Sequence, residues 1–132
     1  MKEVYKFLSE NSPFYVATID GDKPKVRPFG FVMLHEGKLW LSTNNQKDVY
    51  KQLKANPYIE ICTSKNRNDW LRVKGKAVFN ATPTIKAKAL EERPTLKKMY
   101  SSVDNPIWEL FYIEEGEATF SNMAGDSRTV QF

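Results

Sequence analysis

Residues 25–43 read KVRPFGFVMLHEGKLWLST, and this stretch decides the expected fold. Aromatic, β-branched and other apolar residues dominate it on both sides of the turn pair Glu36-Gly37. The pattern predicts two strands, at 25–35 and 39–43, joined by a hairpin at this pair. A sheet built from hairpins is therefore the expected framework of the chain.

The remaining strand-like segments extend this sheet. Runs of β-branched and aromatic residues bounded by turn signals predict four more strands, at 14–20, 58–64, 70–80 and 108–121. Gly75 is expected to mark a bulge or a close backbone approach, and Gly116 a bend. Residues 122–132 are expected to form a tail or a short edge element.

Short helices are expected between and around the strands. Helical spacing and capping signals predict helices at 2–11, 46–55 and 83–92, and a short piece at 95–100. Six short strands around one core, mostly linked by hairpins, predict an antiparallel closed or half-closed barrel. The expected class is α+β, mainly β, in a single domain over residues 1–132.

Composition and charge agree with one globular domain. The 132 residues are 41% hydrophobic and 27% charged, with a net charge of +4. The basic residues are scattered, so the charge favours a solvated surface or an anionic small ligand over nucleic acid. No apolar run reaches the about 20 residues that cross a bilayer, and the N-terminus turns polar too early for a secretory signal. A cytoplasmic protein without a membrane partner is expected.

Histidine and cysteine are too few for metal or nucleophilic chemistry to be indicated. His35 is the single histidine and is expected to be exposed beside the turn, and Cys62 is the single cysteine. Alternation in its strand predicts that Cys62 is a small buried filler. Neither glycine-rich nucleotide loop, G-x-G-x-x-G or G-x-x-x-x-G-K-[ST], is present. Redox or hydrolytic chemistry would therefore come from a bound cofactor, and no metal site is expected.

Arg27 is a candidate binding residue because of its strand position. The two-residue period places it on one face with Phe29, Phe31 and Met33, where an arginine needs an anionic or carbonyl partner. Pro28 cannot donate to a strand ladder, which leaves the local backbone free to meet a ligand. The alternative interpretation is an arginine at a strand end that is paired with a nearby carboxylate.

The segment Ser42-Thr43-Asn44-Asn45-Gln46-Lys47 runs from a strand into a helix, and helix starts bind anions. Asn45 is the expected cap, with Asp48 in the capping-box position. Lys47 falls in the first helical turn, where a phosphate would relieve its conflict with the helix dipole. The alternative is an exposed Lys47 paired with Asp48.

The order of these motifs resembles the pyridoxamine 5′-phosphate oxidase-related FMN-binding split barrels. The resemblance covers roughly residues 1–121 and rests on Arg27-Pro28, strand 39–43, Lys47, Asn56-Pro57 and Val73-Lys74-Gly75-Lys76-Ala77. It implies a six-stranded split β-barrel with short flanking helices. It further implies a homodimer with two FMN sites at the subunit interface.

The resemblance also assigns the site residues. Arg27, Pro28 and Phe29 match the positions that contact the flavin ring. Ser42, Thr43, Asn44 and Lys47 match the phosphate and ribityl segment. The tryptophans are otherwise expected to serve packing, but Trp70, Arg72 and Trp108 are expected to reach the flavin from the partner subunit.

The chain departs from the oxidase pattern at its end. The Arg-x-His substrate signature of true pyridoxamine 5′-phosphate oxidases is missing from Ser127-Arg128-Thr129-Val130-Gln131-Phe132, and nothing matches the flavin-side histidine of relatives linked to nitroimidazole resistance. The cofactor, FMN, is therefore expected without the vitamin B6 reaction. The leading function is an oxidoreductase that passes electrons from a nicotinamide donor to a small acceptor. A non-catalytic FMN storage or sensing module and a barrel for single-stranded nucleic acid are the alternatives.

Overall fold

A computed structural model describes all residues from Met1 to Phe132. Eight strands and four helices follow one another along the chain, and every strand pairing is antiparallel. The elements are α1 (Lys2–Glu10), β1 (Phe14–Asp20), β2 (Lys23–Phe29), β3 (Met33–His35), β4 (Lys38–Asn44), α2 (Asp48–Ala55), β5 (Tyr58–Ser64), β6 (Asp69–Val78), α3 (Pro83–Glu92), α4 (Thr95–Tyr100), β7 (Trp108–Asn122) and β8 (Ser127–Gln131). The mainly β, antiparallel fold that the sequence predicts is confirmed, with eight strands instead of six.

The sheet is split at one place, where the predicted strand 25–35 is interrupted. Its strand order is β2-β1-β5-β6-β7-β4-β3, so β2 and β3 are the two ends of this path, and β8 is a further edge strand beside β7. Residues 30–32, here called the seam, carry the chain from the end of β2 directly to the start of β3. The prediction of one strand is therefore wrong. Arg27 and Phe29 lie in β2, whereas Phe31 and Met33 pack in a second apolar cluster beyond the break.

The two longest strands are irregular or closely packed at their glycines. The pairing of β6 with β7 shifts register between Lys74 and Lys76, and a Cβ on Gly75 would lie 2.6 Å from the Ile113 side chain. Gly116 exchanges backbone hydrogen bonds with Phe132, whose ring lies where a Cβ on Gly116 would be. The close approach predicted at Gly75 is confirmed. Strand β8 pairs with β7 at the end of the chain, and it is the short edge element that was one of the two expectations for residues 122–132.

The helices match their predicted positions except at the start of α2. Thr82 caps α3 by accepting a hydrogen bond from the Ile85 N–H, with Pro83 in the first turn, as predicted. The predicted start of α2 at residue 46 is wrong, because the Asn44 side chain accepts from the Gln46 N–H and forms a turn there instead. The helix begins at Asp48, with Lys47 in the cap position. None of the four helices has the length and apolar character that crossing a bilayer requires.

Two apolar clusters fill the fold, and Cys62 belongs to neither. The larger lies inside the rolled sheet under α1 and α2, and the smaller joins β3, β4 and the start of β7 to α3 and α4. Cys62 is exposed on the outer face of β5, so its predicted burial is wrong. The inward positions of β5 are taken by Ile59, Ile61 and Thr63, which leaves the alternate residues outside.

Candidate functional site

A cavity of about 250 Å³ lies beside the seam, and it is here called the seam cavity. The end of β2, the seam, β4, the start of α2 and helix α4 contribute its walls. No carboxylate lines it, although three cationic side chains do. Its lining residues are Arg27, Pro28, Phe29, Gly30, Phe31, Ser42, Lys47, Val49, Arg93, Thr95, Leu96, Met99 and Tyr100.

Arg27 is held in this wall by neutral partners. Its Nη1 donates to the Thr18 hydroxyl at 2.7 Å and to the Val16 carbonyl at 3.2 Å, and its Nη2 donates to Gln52 Oε1 at 2.7 Å. Thr18 in turn donates to Gln52 Oε1 at 2.6 Å. The alternative interpretation, an arginine paired with a carboxylate, is wrong, because no acidic side chain hydrogen-bonds to it.

The hydrogen bonds of Arg27 leave part of its guanidinium unused. A guanidinium has five N–H donors, and the chain takes up three of them. The Nε–H and one Nη2–H remain, and these two form one edge of the planar group, suited to a bidentate acceptor. Burial lowers the pKa of Arg27, and the nearby Asp48 carboxylate opposes this to a smaller extent. Arg27 is therefore a partly desolvated cation with an unfilled edge in the cavity wall.

The other end of the cavity lies at the start of α2. Lys47 occupies the cap position with an extended backbone, and no side chain caps the helix, which leaves its first N–H groups unpaired. Lys47 is exposed and takes part in none of the chain's ion pairs, so the alternative pairing with Asp48 is wrong. A cation and free N–H groups at a helix start make an anion-accepting end.

The β4 residues divide between the two faces of their strand. Ser42 faces the cavity, whereas Thr43 is buried on the opposite side with a hydroxyl that has no hydrogen-bond partner. Asn44 also lies outside the cavity lining, because its amide donates to Tyr100 Oη at 3.2 Å while its oxygen accepts from the turn. Of these predicted residues, the structure thus brings Ser42 and Lys47 together in the cavity lining and leaves Thr43 and Asn44 outside it.

Trp108 supports the cavity from its own chain. Its side chain is fully buried, its Nε1 donates to Ser42 Oγ at 2.9 Å, and its ring stacks on Tyr100 with centroids 5.4 Å apart. The expectation that Trp108 extends into a partner's site is corrected, because a side chain without exposed surface cannot leave its own core. Its role in this structure is to hold Ser42 and Tyr100 in the wall.

Trp70 and Arg72 lie elsewhere, on β6. Trp70 lines a groove of about 500 Å³ between α1 and the β6–β7–β8 region. Arg72 is exposed on the outer face of the sheet and donates from both Nε and Nη2 to Glu60. Neither residue lines the seam cavity within one chain.

Several lining residues were missed by the sequence interpretation. The cavity wall formed by α4, with Leu96, Met99 and Tyr100, follows from long-range packing that no local pattern displays. Arg93 lies at its edge, with the guanidinium 5.5 Å from the Phe31 ring centroid. Gln52 carried a readable signal, since it shares the apolar stripe of α2 with Val49 and Leu53, where a polar side chain needs a partner.

The seam cavity combines an anion-accepting end, an apolar middle and an unfilled guanidinium edge. This set of groups suits a planar polar ring that carries a phosphate. Fold and cavity together define a split β-barrel with a cavity at its split.

The family follows from comparison with known proteins. Residues 1–110 match the family described as pyridoxamine 5′-phosphate oxidase, so the chain belongs to that family. A crystal structure of a NimC/NimA family protein from Clostridium acetobutylicum is 40% identical, with a TM-score of 0.93. The match covers 100% of this chain and 92% of that one.

More distant structures share the fold alone. A pyridoxamine 5′-phosphate oxidase-related, FMN-binding protein from Nostoc punctiforme is 14% identical with a TM-score of 0.60, over 90% of this chain and 85% of that one. A heme-binding protein from Mycobacterium smegmatis is 12% identical with a TM-score of 0.73, over 96% of this chain and 56% of that one. No curated protein matches the chain.

Proposed function

We propose that this chain is a flavoprotein that binds FMN in the seam cavity and acts as an oxidoreductase. Electrons would pass from a nicotinamide donor to a small acceptor. The observation that carries the proposal is the pairing of Arg27, with its unfilled guanidinium edge, and the uncapped α2 start with Lys47, in one cavity without a carboxylate.

The phosphate of FMN would occupy the α2 end. Lys47 supplies a charge there, the first N–H groups of α2 supply donors, and the helix dipole favours an anion. The Ser42 oxygen already accepts from Trp108, which leaves its own O–H as a further donor. These groups act on the phosphate and not on the ring.

The ring would lie towards Arg27. Pro28, Phe29 and Phe31 form apolar surface beside the guanidinium, and Leu96 and Met99 form the opposite wall. Bound flavin supplies the hydride and electron transfer that the side chains of this chain lack. The chain binds and orients the ring, shields it from water and places a cation beside it.

We further propose that the chain forms a homodimer through the outer face of β1, β2 and β5. This face exposes apolar side chains, with Tyr15 49%, Val26 68% and Tyr58 56% accessible. Pro28 pairs with Tyr15 in register, so the exposed patch continues to the rim of the seam cavity. A two-fold contact on this patch would place the partner chain against the cavity mouth.

The same outer face continues onto β6, where the register pairs Cys62 with Arg72 and Ser64 with Trp70. We therefore also propose that the partner subunit's Trp70 and Arg72 approach the cavity. Light scattering tests the dimer. A flavin-loaded protein that stays at 15.3 kDa at micromolar concentration would contradict it.

The decisive test of the cofactor is titration of the purified, flavin-free protein with FMN, riboflavin and haem. FMN is expected to bind with a perturbed flavin spectrum, riboflavin more weakly, and haem not at all, because His35 and Cys62 lie outside the cavity. A colourless protein that binds oligonucleotides in a strongly salt-dependent manner would replace the proposal with the nucleic-acid alternative.

Turnover separates an enzyme from a storage or sensing module. The FMN-loaded protein is expected to oxidise NADH or NADPH when a quinone or nitroaromatic acceptor is supplied. Pyridoxamine 5′-phosphate is expected to give no hydrogen peroxide, because the chain lacks the Arg-x-His signature. Tight FMN binding without any oxidation of a nicotinamide would favour the non-catalytic module.

A further inference from the structure

We infer that Gln52, supported by Thr18, is a positioning residue that aims the Arg27 guanidinium and leaves its positive charge unneutralised beside the ligand. The inference rests on the proposed binding of a flavin in the seam cavity. It concerns a side chain of α2 that does not itself line that cavity.

Gln52 is a buried polar group whose side-chain oxygen has two hydrogen-bond donors. Its Oε1 accepts from both the Thr18 hydroxyl at 2.6 Å and Arg27 Nη2 at 2.7 Å. Thr18 is 2% exposed and Gln52 is 9% exposed, so neither can exchange these bonds freely for water. The three side chains therefore form a fixed triangle between β1, β2 and α2.

The triangle determines which edge of the guanidinium is free. With both Nη1–H groups and one Nη2–H committed inside the chain, the edge with Nε–H and the second Nη2–H is left over. Rotation of the planar group would break at least two hydrogen bonds at once. Gln52 and Thr18 thus restrict Arg27 to one orientation before any ligand binds.

Gln52 also determines the charge at this position. Glutamate would fit the same space and accept the same hydrogen bonds, but it would form an ion pair with Arg27. A neutral amide acceptor instead leaves the cation with only the more distant Asp48 as an opposing charge. A positive charge next to a flavin ring stabilises the added electron density of the reduced form.

Gln52 further connects the two ends of the cavity. It lies four residues after Asp48 and five after Lys47, and these two residues mark the start of α2 at the phosphate end. A ligand that spans both ends would therefore meet Lys47 at the start of α2 and Arg27, which Gln52 of the same helix holds in place.

The test uses Gln52→Glu and Gln52→Met in the FMN-loaded protein, with Gln131→Glu on the exposed strand β8 as the matched charge control. Gln52→Glu keeps the orientation of the Arg27 guanidinium and adds a negative charge beside it. We expect oxidised FMN to bind within about 3-fold of wild type, and the preference for reduced over oxidised flavin to fall by roughly tenfold. This corresponds to a midpoint potential about 30 mV lower for a two-electron couple. Gln131→Glu should leave the potential at the wild-type value.

Gln52→Met leaves the positive charge of Arg27 unneutralised and removes the hydrogen-bond acceptor Oε1. FMN and riboflavin affinity should fall together by about 3- to 10-fold, as expected for the loss of one hydrogen bond. Thr18→Val should reproduce this result from the β1 side, and the two variants carry the test if Gln52→Glu does not fold.

The outcomes separate the inference from the proposed function. If the wild-type protein shows no flavin spectrum after FMN addition, the proposed function is overturned. Any role of Gln52 toward a flavin ring is then overturned as well. A flavin-loaded wild type whose Gln52→Glu potential and Gln52→Met affinity are both unchanged overturns the inference alone.

Discussion

Arg27 and Arg72 lie on the same rolled sheet in two contrasting environments. Arg27 lies in the cavity wall among neutral acceptors, and burial lowers its pKa. Arg72 lies on the open outer face, where its hydrogen bonds to Glu60 are the main cause of a raised pKa. One arginine keeps unused donors and an unbalanced charge, and the other has a carboxylate that balances it.

The difference shows that residue type alone does not tell which arginine is already balanced by a carboxylate. In the sequence, Arg27 and Arg72 both lie in predicted strands, and both were predicted to contact a flavin. Only the partners decide which cation remains available, since a charge already paired with a carboxylate gains little from a second anion. The comparison therefore predicts unequal consequences of the same substitution at the two positions.

The largest effect is expected from Arg27→Ala. The ring contact is lost, so FMN and riboflavin affinity should fall alike, by about 10- to 150-fold for a charge-assisted hydrogen bond of about 1.5–3 kcal/mol. Fold stability should fall by about 1–3 kcal/mol, because Thr18 and Gln52 lose a buried partner. Flavin fluorescence titration measures the two affinities, and urea denaturation measures the free energy of unfolding. Unchanged riboflavin affinity would remove Arg27 from the ring site.

Lys47→Ala should separate the two ends of the cavity. FMN affinity is expected to fall by about 10- to 150-fold, with the riboflavin affinity unchanged, because riboflavin has no phosphate to meet Lys47. Stability should change by less than about 0.5 kcal/mol at this exposed position. Titration of both flavins with the variant and with Lys51→Ala, one turn further along α2, provides the comparison. Equal losses for FMN and riboflavin would exclude a phosphate role.

Arg72→Ala should have a much smaller effect than Arg27→Ala. An exposed ion pair with Glu60 contributes about 0–1 kcal/mol, and flavin affinity should remain within about 3-fold of wild type. The same titrations and denaturation curves apply, with Glu60→Gln as the matched variant. A loss of flavin affinity as large as that in Arg27→Ala would show that the proposed approach of the partner subunit's Arg72 is a direct flavin contact, and it would abolish the contrast between the two arginines.

The smallest effect concerns a third arginine, Arg128, which binds Glu3 on the exposed side of α1. Its hydrogen bond lowers the pKa of Glu3, so the contact stabilises the fold above the unfolded pKa of glutamate and is lost as pH falls through the folded value. Glu3→Gln should therefore differ from wild type in stability at neutral pH and match it in strong acid. Denaturation of both proteins across this range is the measurement, and a constant difference at all pH values would contradict it.

Local signals explain what the sequence predicted well. The Glu36-Gly37 hairpin, the Thr82 cap and the close approach at Gly75 each depend on neighbouring residues or on one missing side chain. The break at the seam is different, because apolar residues continue across it in the sequence. The break is visible only in the tertiary structure, where the chain passes from one edge of the sheet to the other. Strand β8 is polar and mostly exposed, so it lacks the alternation that marks a half-buried strand.

The site was predicted in part for the same reason. Arg27, Pro28, Phe29, Ser42 and Lys47 line one cavity, and they belong to strand and helix ends that the motif order located. The contact between Arg27 and Gln52 joins residues 25 positions apart and exists only after α2 packs on the sheet. Wall residues from α4, such as Tyr100, depend in the same way on tertiary packing.

The edge strand β2 has a further consequence for solubility. Two of its seven residues, Pro24 and Pro28, have no N–H, and both are paired with β1 in regular register. Because a strand residue directs its N–H and C=O to the same side, the ladder stays intact only if these prolines face away from β1. The open edge therefore presents gaps where another molecule's strand would need donors, and Lys23 and Lys25 add charge there. Edge-to-edge aggregation is disfavoured in this way, and the proposed dimer uses the face of the sheet and not this edge.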